Sequence, residues 1–250
     1  MSRPNVLAII QARGGSKGLP HKNLLPLAGH PLVAYSVKAA LDTPSISRTI
    51  ISTDSKEIAT VAARYGAEVP FLRPSEFAQD LSTDIDVFTH ALQWLLDNEN
   101  YTPDLVVQLR PTSPIRTVQH MEEAIQRLLD TPEADSLRMI TSAPITPYKM
   151  WLYDEATASM RPLLQHPTLP EPYNEPRQKL PPVHWQIGTL DVIRPSVILE
   201  KKSMSGYPML PYVLPFEYAI DIDDMNSFLK AEEVMQRLDC VKFQNSLVND

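Results

Sequence analysis

The sequence has a single cysteine, Cys240, among its 250 residues. One thiol cannot form an internal disulfide or a cysteine-rich metal site, and this favours a reducing, cytoplasmic setting. No apolar run is long enough to cross a bilayer, and the N-terminus shows no signal-peptide pattern. A net charge of -7 argues against a broad nucleic-acid-binding surface. We therefore expect a cytoplasmic protein with no membrane and no nucleic-acid partner.

Glycine is also scarce, and its distribution is uneven. Only 7 glycines are present, and four of them lie between Gly14 and Gly29. The first three follow directly after Val6 to Ile10, an apolar run that is typical of a buried strand. Glycine concentrated in this way indicates a backbone that needs a positive φ or a close approach to a ligand.

Acidic residues are missing from the first 41 positions, although the chain as a whole is acidic. The same stretch carries the cations Arg3, Arg13, Lys17, Lys22 and Lys38. Backbone N–H groups of a glycine-rich turn and fixed cations together suit a polyphosphate. The loop matches neither the Walker A nor the Rossmann pattern. A surface turn with incidental lysines is the alternative, and the coincidence of strand, glycines and acid-free flanks favours phosphate binding.

Strand-like and helix-like patterns alternate along the rest of the chain. Strands are predicted at 49–52, 67–71, 105–109 and 137–141, and regular structure is predicted to resume at 185–193. Helices are predicted to begin near Pro31, Asp54, Thr83, Thr117 and Asp224, and Asp54 with Glu57 fits a capping arrangement. The alternation predicts one α/β domain over residues 1–250, a three-layer α/β/α sandwich with a mostly parallel sheet.

Proline, in contrast, is abundant, with 24 residues in the chain. Nine of these lie between Pro144 and Pro182, together with Trp151 and Tyr153. Such a segment is too rich in proline for helices and too rigid for a flexible linker. An extended arm or a small antiparallel insertion over residues 143–187 is predicted.

Two polar segments follow predicted strands, where parallel sheets bind ligands. The first, 73–84, begins with Arg-Pro and contains several hydroxyl and acidic residues, of which Thr83 is the expected helix cap. The second, 108–116, places two hydroxyls between prolines, with an arginine on each side. The second segment therefore predicts a stiff cationic loop at the open edge of the sheet.

Carboxylates cluster in the segment Asp221-Ile222-Asp223-Asp224. In an extended segment, alternation places Asp221 and Asp223 on the same side, close enough to share a cation. Carboxylates combined with phosphate oxygens are suitable ligands for Mg²⁺. For Asp224 the favoured interpretation is a cap of the last helix.

The glycine-rich loop resembles the signature of the CMP-sialic acid synthetases, also called acylneuraminate cytidylyltransferases. The resemblance rests on Ala12-Arg13-Gly14-Gly15-Ser16-Lys17-Gly18 with Lys22-Asn23. It implies a nucleotide-diphospho-sugar transferase-like fold with a small dimerisation insertion, and therefore a homodimer. It also implies a cytidylyltransferase that uses CTP and Mg²⁺ to activate a nonulosonic, nine-carbon 2-keto-3-deoxy acid sugar, releasing pyrophosphate.

The resemblance implies roles for residues at matching positions. Catalytic roles fall to Arg13, Lys22 and Asp223, and the metal would be held by Asp221 and Asp223. CTP would be bound by Gly14, Gly15, Ser16, Lys17, Asn23, Arg73 and Ser82. The sugar would be bound by Arg110, Thr112, Ser113, Lys149, Arg177 and His184.

Two positions depart from the family pattern near the expected sugar pocket. Arg110 stands where relatives carry Gln, and Ile187 stands where they carry Asn. Both changes bear on which sugar is accepted, and no side chain is identified as a general base. The alternatives are another sugar nucleotidyltransferase, a metal-dependent glycosyltransferase of related architecture, and a catalytically inactive nucleotide-binding regulator.

Overall fold

The structure is a computed structural model that describes residues 3–243. Its strands are β1 (Val6–Gln11), β2 (Pro26–Leu27), β3 (His30–Pro31), β4 (Arg48–Ser52), β5 (Leu105–Leu109), β6 (Ser136–Ser142), β7 (Trp151–Asp154), β8 (Ser159–Pro162), β9 (His184–Ile193) and β10 (Met209–Val213). Its α-helices are α1 (Leu32–Asp42), α2 (Lys56–Arg64), α3 (Asp84–Glu99), α4 (Val118–Leu129), α5 (Pro195–Leu199) and α6 (Met225–Arg237).

Six strands form one mixed sheet in the order β10-β6-β9-β5-β1-β4. Only β9 runs antiparallel to its neighbours, β5 and β6, and every other pairing in this sheet is parallel. The predicted α/β class with a mostly parallel sheet is confirmed. No helix within residues 3–243 is long and apolar enough to cross a membrane.

The sheet is covered on both faces, as the uninterrupted apolar run of β1 requires. Val6, Ala8 and Ile10 pack in a core cluster with residues of α1, α2 and α4. Leu7 and Ile9 point to the opposite face and pack with residues of α3 and α5. The three-layer arrangement therefore follows from alternate side chains of the same strand.

Two local predictions are wrong. Residues 67–71 form no strand, because only Glu68 makes an isolated bridge, to Ile50 of β4, and Pro70 has no N–H to extend a ladder. Helix α2 is capped by Ser55, whose hydroxyl accepts a hydrogen bond from the Ile58 N–H at 3.3 Å. Asp54 does not cap this helix. Its carboxylate accepts a hydrogen bond from the Gly14 N–H of the glycine-rich loop instead.

The proline-rich segment contains the predicted antiparallel insertion. Strands β7 and β8 pair with each other, from Trp151 opposite Pro162 to Asp154 opposite Ser159, and join no other sheet. All eight positions but Pro162 are exposed. The pair forms a small hairpin outside the main sheet.

The order in which the chain adds strands to the sheet reverses at β1. After β1 the chain adds β4 on one side and then returns to add β5 on the other. In open α/β sheets, ligands bind in the crevice beyond the carboxyl ends of the strands at such a reversal. The glycine-rich loop follows β1 and the cationic loop follows β5, so both lie at this crevice.

Candidate active site

The glycine-rich loop, residues 12–18, is fixed by hydrogen bonds to its first three residues. The Ala12 N–H donates to the Ser52 carbonyl at 3.0 Å, which extends the β1–β4 pairing by one bond. The buried side chain of Asn23 donates to the Arg13 carbonyl at 3.0 Å. The Gly14 N–H donates to Oδ1 of Asp54 at 2.8 Å. These three hydrogen bonds hold the first half of the loop in place.

Close approach, rather than a positive φ, explains the most restricted glycine of this loop. The glycines with positive φ in residues 3–243 are Gly29, Gly66 and Gly206, none of which lies in the loop. A Cβ added at Gly18 would lie 2.5 Å from the backbone oxygen of Asp223. Gly18 thus lets the loop pack against the acidic segment 221–223.

We expect Gly18→Ala to lower the free energy of unfolding by about 1–3 kcal/mol, because a methyl group there forces two backbones apart. Gly15→Ala is the matched control, since a Cβ at Gly15 meets nothing within 4 Å. Its effect should stay within about 0.5 kcal/mol. Urea unfolding of both variants measures the difference, and equal midpoints would show that this packing does not stabilise the fold.

The two cations of the loop are paired with a carboxylate from the 73–84 segment. Nη1 of Arg13 lies 3.0 Å from Oδ1 of Asp80, and Nζ of Lys17 contacts the other oxygen of the same carboxylate. Hydrogen bonds from Lys17 and then from Arg13 hold the pKa of Asp80 below its usual value. The Asp80 carboxylate therefore lies between the two cations, at the position where the sequence predicts phosphate oxygens.

Lys22 lies deeper and is aimed at the acidic segment. Its Nζ donates to the Ile222 carbonyl at 2.6 Å and lies 3.1 Å from Oδ1 of Asp223. Only 13% of the Lys22 side chain is exposed. It lines a cavity of about 320 Å³, here called the Lys22 cavity, whose other lining residues are Gln11, Arg13, Ser16, Lys17, Gly18, Asn23, Arg110, Pro111, Thr112 and Asp223.

The acidic segment has the predicted alternation. Asp221 and Asp223 are exposed, whereas Ile222 between them is buried and its N–H donates to the Thr112 carbonyl at 2.8 Å. Oδ1 of Asp221 lies 3.5 Å from the Ser113 hydroxyl. Asp224 caps α6 by accepting from the Ser227 N–H at 2.7 Å, which confirms its predicted role.

A second cavity, of about 200 Å³, lies beside the first and is here called the Arg73 cavity. Its lining residues are Gln11, Arg13, Arg73, Phe77, Gln79, Asp80, Ser82, Asp84 and Val87. Arg73 is buried, and its Nε and Nη2 have no hydrogen-bond partner among the described residues. Burial is the main cause that lowers the pKa of Arg73. Unpartnered buried donors beside a cavity are suited to a polar ligand that supplies acceptors.

Arg110 does not extend freely into the crevice. Its guanidinium donates to Oδ2 of Asp84 at 2.7 Å and to Oδ2 of Asp191 at 3.2 Å. Arg138 also contacts Asp191, at 3.0 Å. Arg110 therefore belongs to a network of alternating charges that joins α3, the loop after β5, β9 and β6.

Arg116 is a structural residue that sequence reasoning did not assign. It is buried, and it donates to the backbone carbonyls of Arg110, at 2.7 Å, and of Ser113. Burial, and secondarily the charge of Arg110, lowers the pKa of Arg116 to about 9, so it remains cationic at neutral pH. Its hydrogen bonds hold the loop 110–113 in one conformation. The two arginines that flank this loop were visible in the sequence, but their different roles were not.

Comparison with known proteins identifies the family. A family model described as cytidylyltransferase matches residues 7–150, more than half of the chain. This chain belongs to the cytidylyltransferase family. The family assignment that the loop predicted is confirmed.

Two curated members of the cytidylyltransferase family align with most of this chain. A CMP-N,N'-diacetyllegionaminic acid synthase from Legionella pneumophila is 33% identical over 92% of this chain and 96% of its own length. An N-acylneuraminate cytidylyltransferase from Escherichia coli O18:K1:H7 is 31% identical over 94% of this chain. This chain spans about half of the E. coli protein, 53% of its length.

Solved structures support the fold of this family member. A CMP:2-keto-3-deoxy-manno-octonic acid synthetase complexed with CTP superposes with a TM-score of 0.66 at 15% identity, over 94% of this chain and 100% of that one. A 4-diphosphocytidyl-2C-methyl-D-erythritol synthase from Anaerococcus prevotii gives 0.62 at 13% identity, with the same coverage of both chains. At sequence identities of 15% and 13%, these structural similarities establish the fold of this chain but not its function.

The remaining predicted sugar residues of this cytidylyltransferase lie near the hairpin. Arg177 and His184 line a third cavity, of about 400 Å³, which Lys149 does not line. Arg177 donates to the Ala143 carbonyl at 2.7 Å. Ile187 is buried in the core cluster above α4, so its side chain faces the interior rather than a ligand.

The structure thus distributes the predicted residues over three places. The Lys22 cavity contains eight of them: Arg13, Ser16, Lys17, Lys22, Asn23, Arg110, Thr112 and Asp223. The Arg73 cavity adds Arg73 and Ser82, and the third cavity has Arg177 and His184. Gly14, Gly15, Ser113, Lys149 and Asp221 line none of the three. Sequence reasoning assigned no role to Gln11, Asp80, Asp84, Arg116 or Asp191, because their partners lie far away in the sequence and meet them only in the folded chain.

Proposed function

We propose that this protein is a CTP-dependent cytidylyltransferase that activates a nonulosonic, sialic-acid-like 2-keto-3-deoxy acid sugar. The products are the CMP-sugar and pyrophosphate. The observation that carries the proposal is the convergence of Arg13, Lys17 and Lys22 with Asp223 at the β1/β5 crevice of a cytidylyltransferase-family chain. The names of the relatives, which specify N-acylneuraminate and diacetyllegionaminic acid, support the class of sugar.

The two ends of CTP match the chemistry of the two cavities of the crevice. Gln11 and Arg13 line the Arg73 cavity and also the Lys22 cavity, so the two are neighbours along one groove. The cations of the Lys22 cavity favour the triphosphate, and the unpartnered donors of Arg73 favour the carbonyl oxygen and ring nitrogen of the cytosine. The base would therefore lie against Arg73 and Ser82, and the phosphates against Lys17 and Lys22.

The chemistry is an in-line displacement at the α-phosphorus. The anomeric hydroxyl oxygen of the sugar forms the new P–O bond as the bond to pyrophosphate breaks, and the hydroxyl proton is lost to solvent. Arg13 and Lys17 would exchange Asp80 for triphosphate oxygens, and Lys22 would stabilise the charge that develops at the transition state. Catalysis then depends mainly on positioning and neutralisation of charge, and we assign no general base.

The donor set at the acidic segment fits Mg²⁺. Asp221 and Asp223 are exposed oxygen donors on either side of the buried Ile222, and Asp223 lines the Lys22 cavity proposed for the phosphates. Within residues 3–243 no three His, Cys, Asp or Glu side chains are grouped for a metal. Mg²⁺ usually binds to one or two carboxylates and completes its shell with waters and substrate phosphates. When bound, it would neutralise phosphate charge and lower the pKa of the attacking hydroxyl.

The sugar would lie at the end of the loop after β5. Arg110 and Thr112 line the Lys22 cavity, and Ser113 lies beside Asp221. Lys149, Arg177 and His184 lie near the hairpin, where a cationic side chain is suited to the carboxylate of an acid sugar. Because Arg110 is paired with two carboxylates, we assign it to the shape of this pocket rather than to anchoring the sugar carboxylate.

A substrate panel tests the proposed function. The protein is incubated with CTP, Mg²⁺ and one of several sugars, and pyrophosphate is measured. Suitable sugars are N-acetylneuraminic, legionaminic and pseudaminic acids and the eight-carbon 2-keto-3-deoxy-manno-octonic acid. We expect release with at least one nine-carbon acid and little with the eight-carbon acid. Release with none of the four, from folded protein that binds CTP, would contradict the proposed substrate class.

The hairpin is proposed as the dimerisation element. Trp151, Tyr153 and Met160 on its two strands are 40–65% exposed, and Leu163 and Leu164 extend the apolar surface. The Trp151 and Tyr173 rings lie 4.7 Å apart, which holds the aromatic surface rigid. Contiguous exposed apolar surface of this kind marks interaction sites, and ordered aromatic residues are enriched in interfaces. A second copy of this chain is the expected partner.

We expect a dimer of the 28.2 kDa chain in sedimentation equilibrium at micromolar concentration. Trp151→Ser combined with Tyr153→Ser should shift the mass to that of the monomer, because both substitutions remove interface surface. Tyr207→Ser is the control, since Tyr207 is 84% exposed but lies outside the hairpin. A wild-type protein that sediments as a monomer would refute the dimer.

Mixing inactive chains tests whether the dimer shares its sites. Lys22→Ala and Arg177→Ala chains are each expected to have low activity. If Arg177 completes the site of the second copy, mixed dimers regain activity because one complete site forms. If confirmed mixed dimers regain none, Arg177 acts within its own chain.

A further inference from the structure

Two carboxylates line the Arg73 cavity, Asp84 and Asp80. Asp80 is already paired with the cations of the glycine-rich loop, and Asp84 is not. It is the first residue of α3 and neighbours Thr83, which forms the cap of that helix. Its side chain is 37% exposed, so a ligand in the cavity can reach it. Its ion pair with Arg110 is described above, but no contact with a substrate has been assigned to it.

Three donors fix the orientation of the Asp84 carboxylate. Oδ1 accepts from Nε2 of Gln11 at 2.9 Å. Oδ2 accepts from Nε2 of Gln108 at 2.8 Å and from Nη2 of Arg110 at 2.7 Å. Burial opposes ionisation, but the charge of Arg110 and the hydrogen bonds from Gln108 and Gln11 outweigh it and lower the pKa of Asp84. The group is therefore a fixed anion, and Oδ1 retains one lone pair that no described residue uses.

The order of groups in CTP determines what reaches Asp84. The base and the triphosphate are the two ends of the molecule, and the proposed function places them in the Arg73 and Lys22 cavities. The ribose must then lie where the two cavities meet. Gln11 and Arg13 mark this junction, because each of them lines both cavities. Asp84 lies on the Arg73 side of this junction, and its partner Arg110 lies on the Lys22 side.

We propose that Asp84 accepts a hydrogen bond from a ribose hydroxyl of CTP and so selects ribonucleotides over deoxyribonucleotides. This inference depends on the proposed function, because it uses the same nucleotide site. Gln11, Gln108 and Arg110 are positioning residues that hold the carboxylate toward the ribose. A site built to hydrogen-bond a substrate hydroxyl rejects the analogue that lacks it, because its buried polar group is left without a partner.

Nucleotide selectivity of the wild-type protein is the first test. Binding of CTP, 2′-deoxy-CTP and 3′-deoxy-CTP is measured by calorimetry, and kcat/KM is measured for each with the accepted sugar. Loss of a hydrogen bond to a charged group lowers affinity by about 10- to 100-fold. The affinity and kcat/KM of one deoxy analogue should therefore be lower than those of CTP by that factor. Equal use of all three nucleotides would overturn the inference. Failure to bind CTP at all would instead refute the proposed function.

Asp84→Asn is the second test. The amide oxygen should stay with the two donors Gln108 and Arg110, which leaves the amide NH₂ where the ribose hydroxyl would donate. We expect the ratio of kcat/KM for CTP to kcat/KM for the disfavoured deoxy analogue to fall to within about threefold. Most of this change should come from a lower kcat/KM for CTP. Asp97→Asn is the matched control, because Asp97 lies in the last turn of the same helix, its carboxylate accepts a hydrogen bond from Gln93, and it lines neither nucleotide cavity. It should retain the wild-type preference.

A purely structural role of Asp84 gives a different result. Loss of its ion pair with Arg110 would then reduce the use of CTP and of the deoxy analogues by the same factor, and the preference would not change. That outcome would overturn the inference. Arg110→Gln adds a test of positioning: we expect an intermediate preference, because Asp84 would keep two of its three donors. An unchanged preference would remove Arg110 from this role.

Discussion

Lys22→Ala should lower kcat by about 10²- to 10³-fold, while the KM for CTP changes by no more than about threefold. Nζ of Lys22 is held by the Ile222 carbonyl and Asp223, and a mostly buried amine of this kind is a pre-oriented charge. A charge that is fixed before the reaction stabilises the transition state without the cost of reorganising during it. Steady-state kinetics with CTP at saturating sugar separates kcat from KM.

Two control variants sharpen the Lys22 measurement. Lys56→Ala removes an exposed lysine at the start of α2 and should leave both constants unchanged. Lys17→Ala removes the exposed cation of the glycine-rich loop, whose side chain is 78% exposed, and should raise KM more than it lowers kcat. An unchanged kcat in Lys22→Ala would exclude this residue from transition-state stabilisation.

Asp221→Asn and Asp223→Asn should each lower activity at limiting Mg²⁺ by at least about 100-fold. Asparagine has the shape of aspartate but not its charge, so the fold should be retained and only binding of the cation should weaken. Partial recovery of activity at high Mg²⁺ is expected for the same reason. Binding of Mn²⁺ in the presence of a non-hydrolysable CTP analogue gives a second readout that does not depend on turnover.

Asp239→Asn is the control for these two variants, since Asp239 is exposed beyond α6 and lines neither the Lys22 cavity nor the Arg73 cavity. It should retain wild-type Mg²⁺ dependence. Full activity of both Asp221→Asn and Asp223→Asn at limiting Mg²⁺ would place the metal elsewhere. Activity lost together with the folded structure, measured by circular dichroism, would show that the acidic segment has a structural role instead.

The class of the fold could be predicted because local patterns determine it. The continuous apolar run of β1 and the caps at Thr83, Thr117 and Asp224 are visible in short windows of sequence. The antiparallel direction of β9 was not predicted, because strand direction depends on pairing with β5 and β6 far away in the sequence. The predicted strand at 67–71 failed for a related reason, since an apolar segment forms a strand only where a ladder can continue past Pro70.

The grouping of the candidate site residues could be predicted where several of them are neighbours in the sequence. Arg13, Lys17 and Lys22 lie close together in the chain, and their cavity also contains Asp223, which the Asp-x-Asp pattern indicated. Asp84 and Asp191 could not be predicted, because each acquires its role from Arg110, which only the folded sheet brings near. The sequence also showed that Arg110 departs from the family pattern, but not that its charge is compensated on both sides.

The central claim is that one site joins CTP to an acid sugar. The most direct test is ³¹P NMR of a reaction that contains the protein, Mg²⁺, CTP and the best sugar of the panel. The account predicts a new phosphodiester resonance of the CMP-sugar and one equivalent of pyrophosphate, both absent when the sugar is omitted. Loss of CTP to CMP and pyrophosphate, or to CDP and phosphate, at the same rate with and without sugar would contradict it.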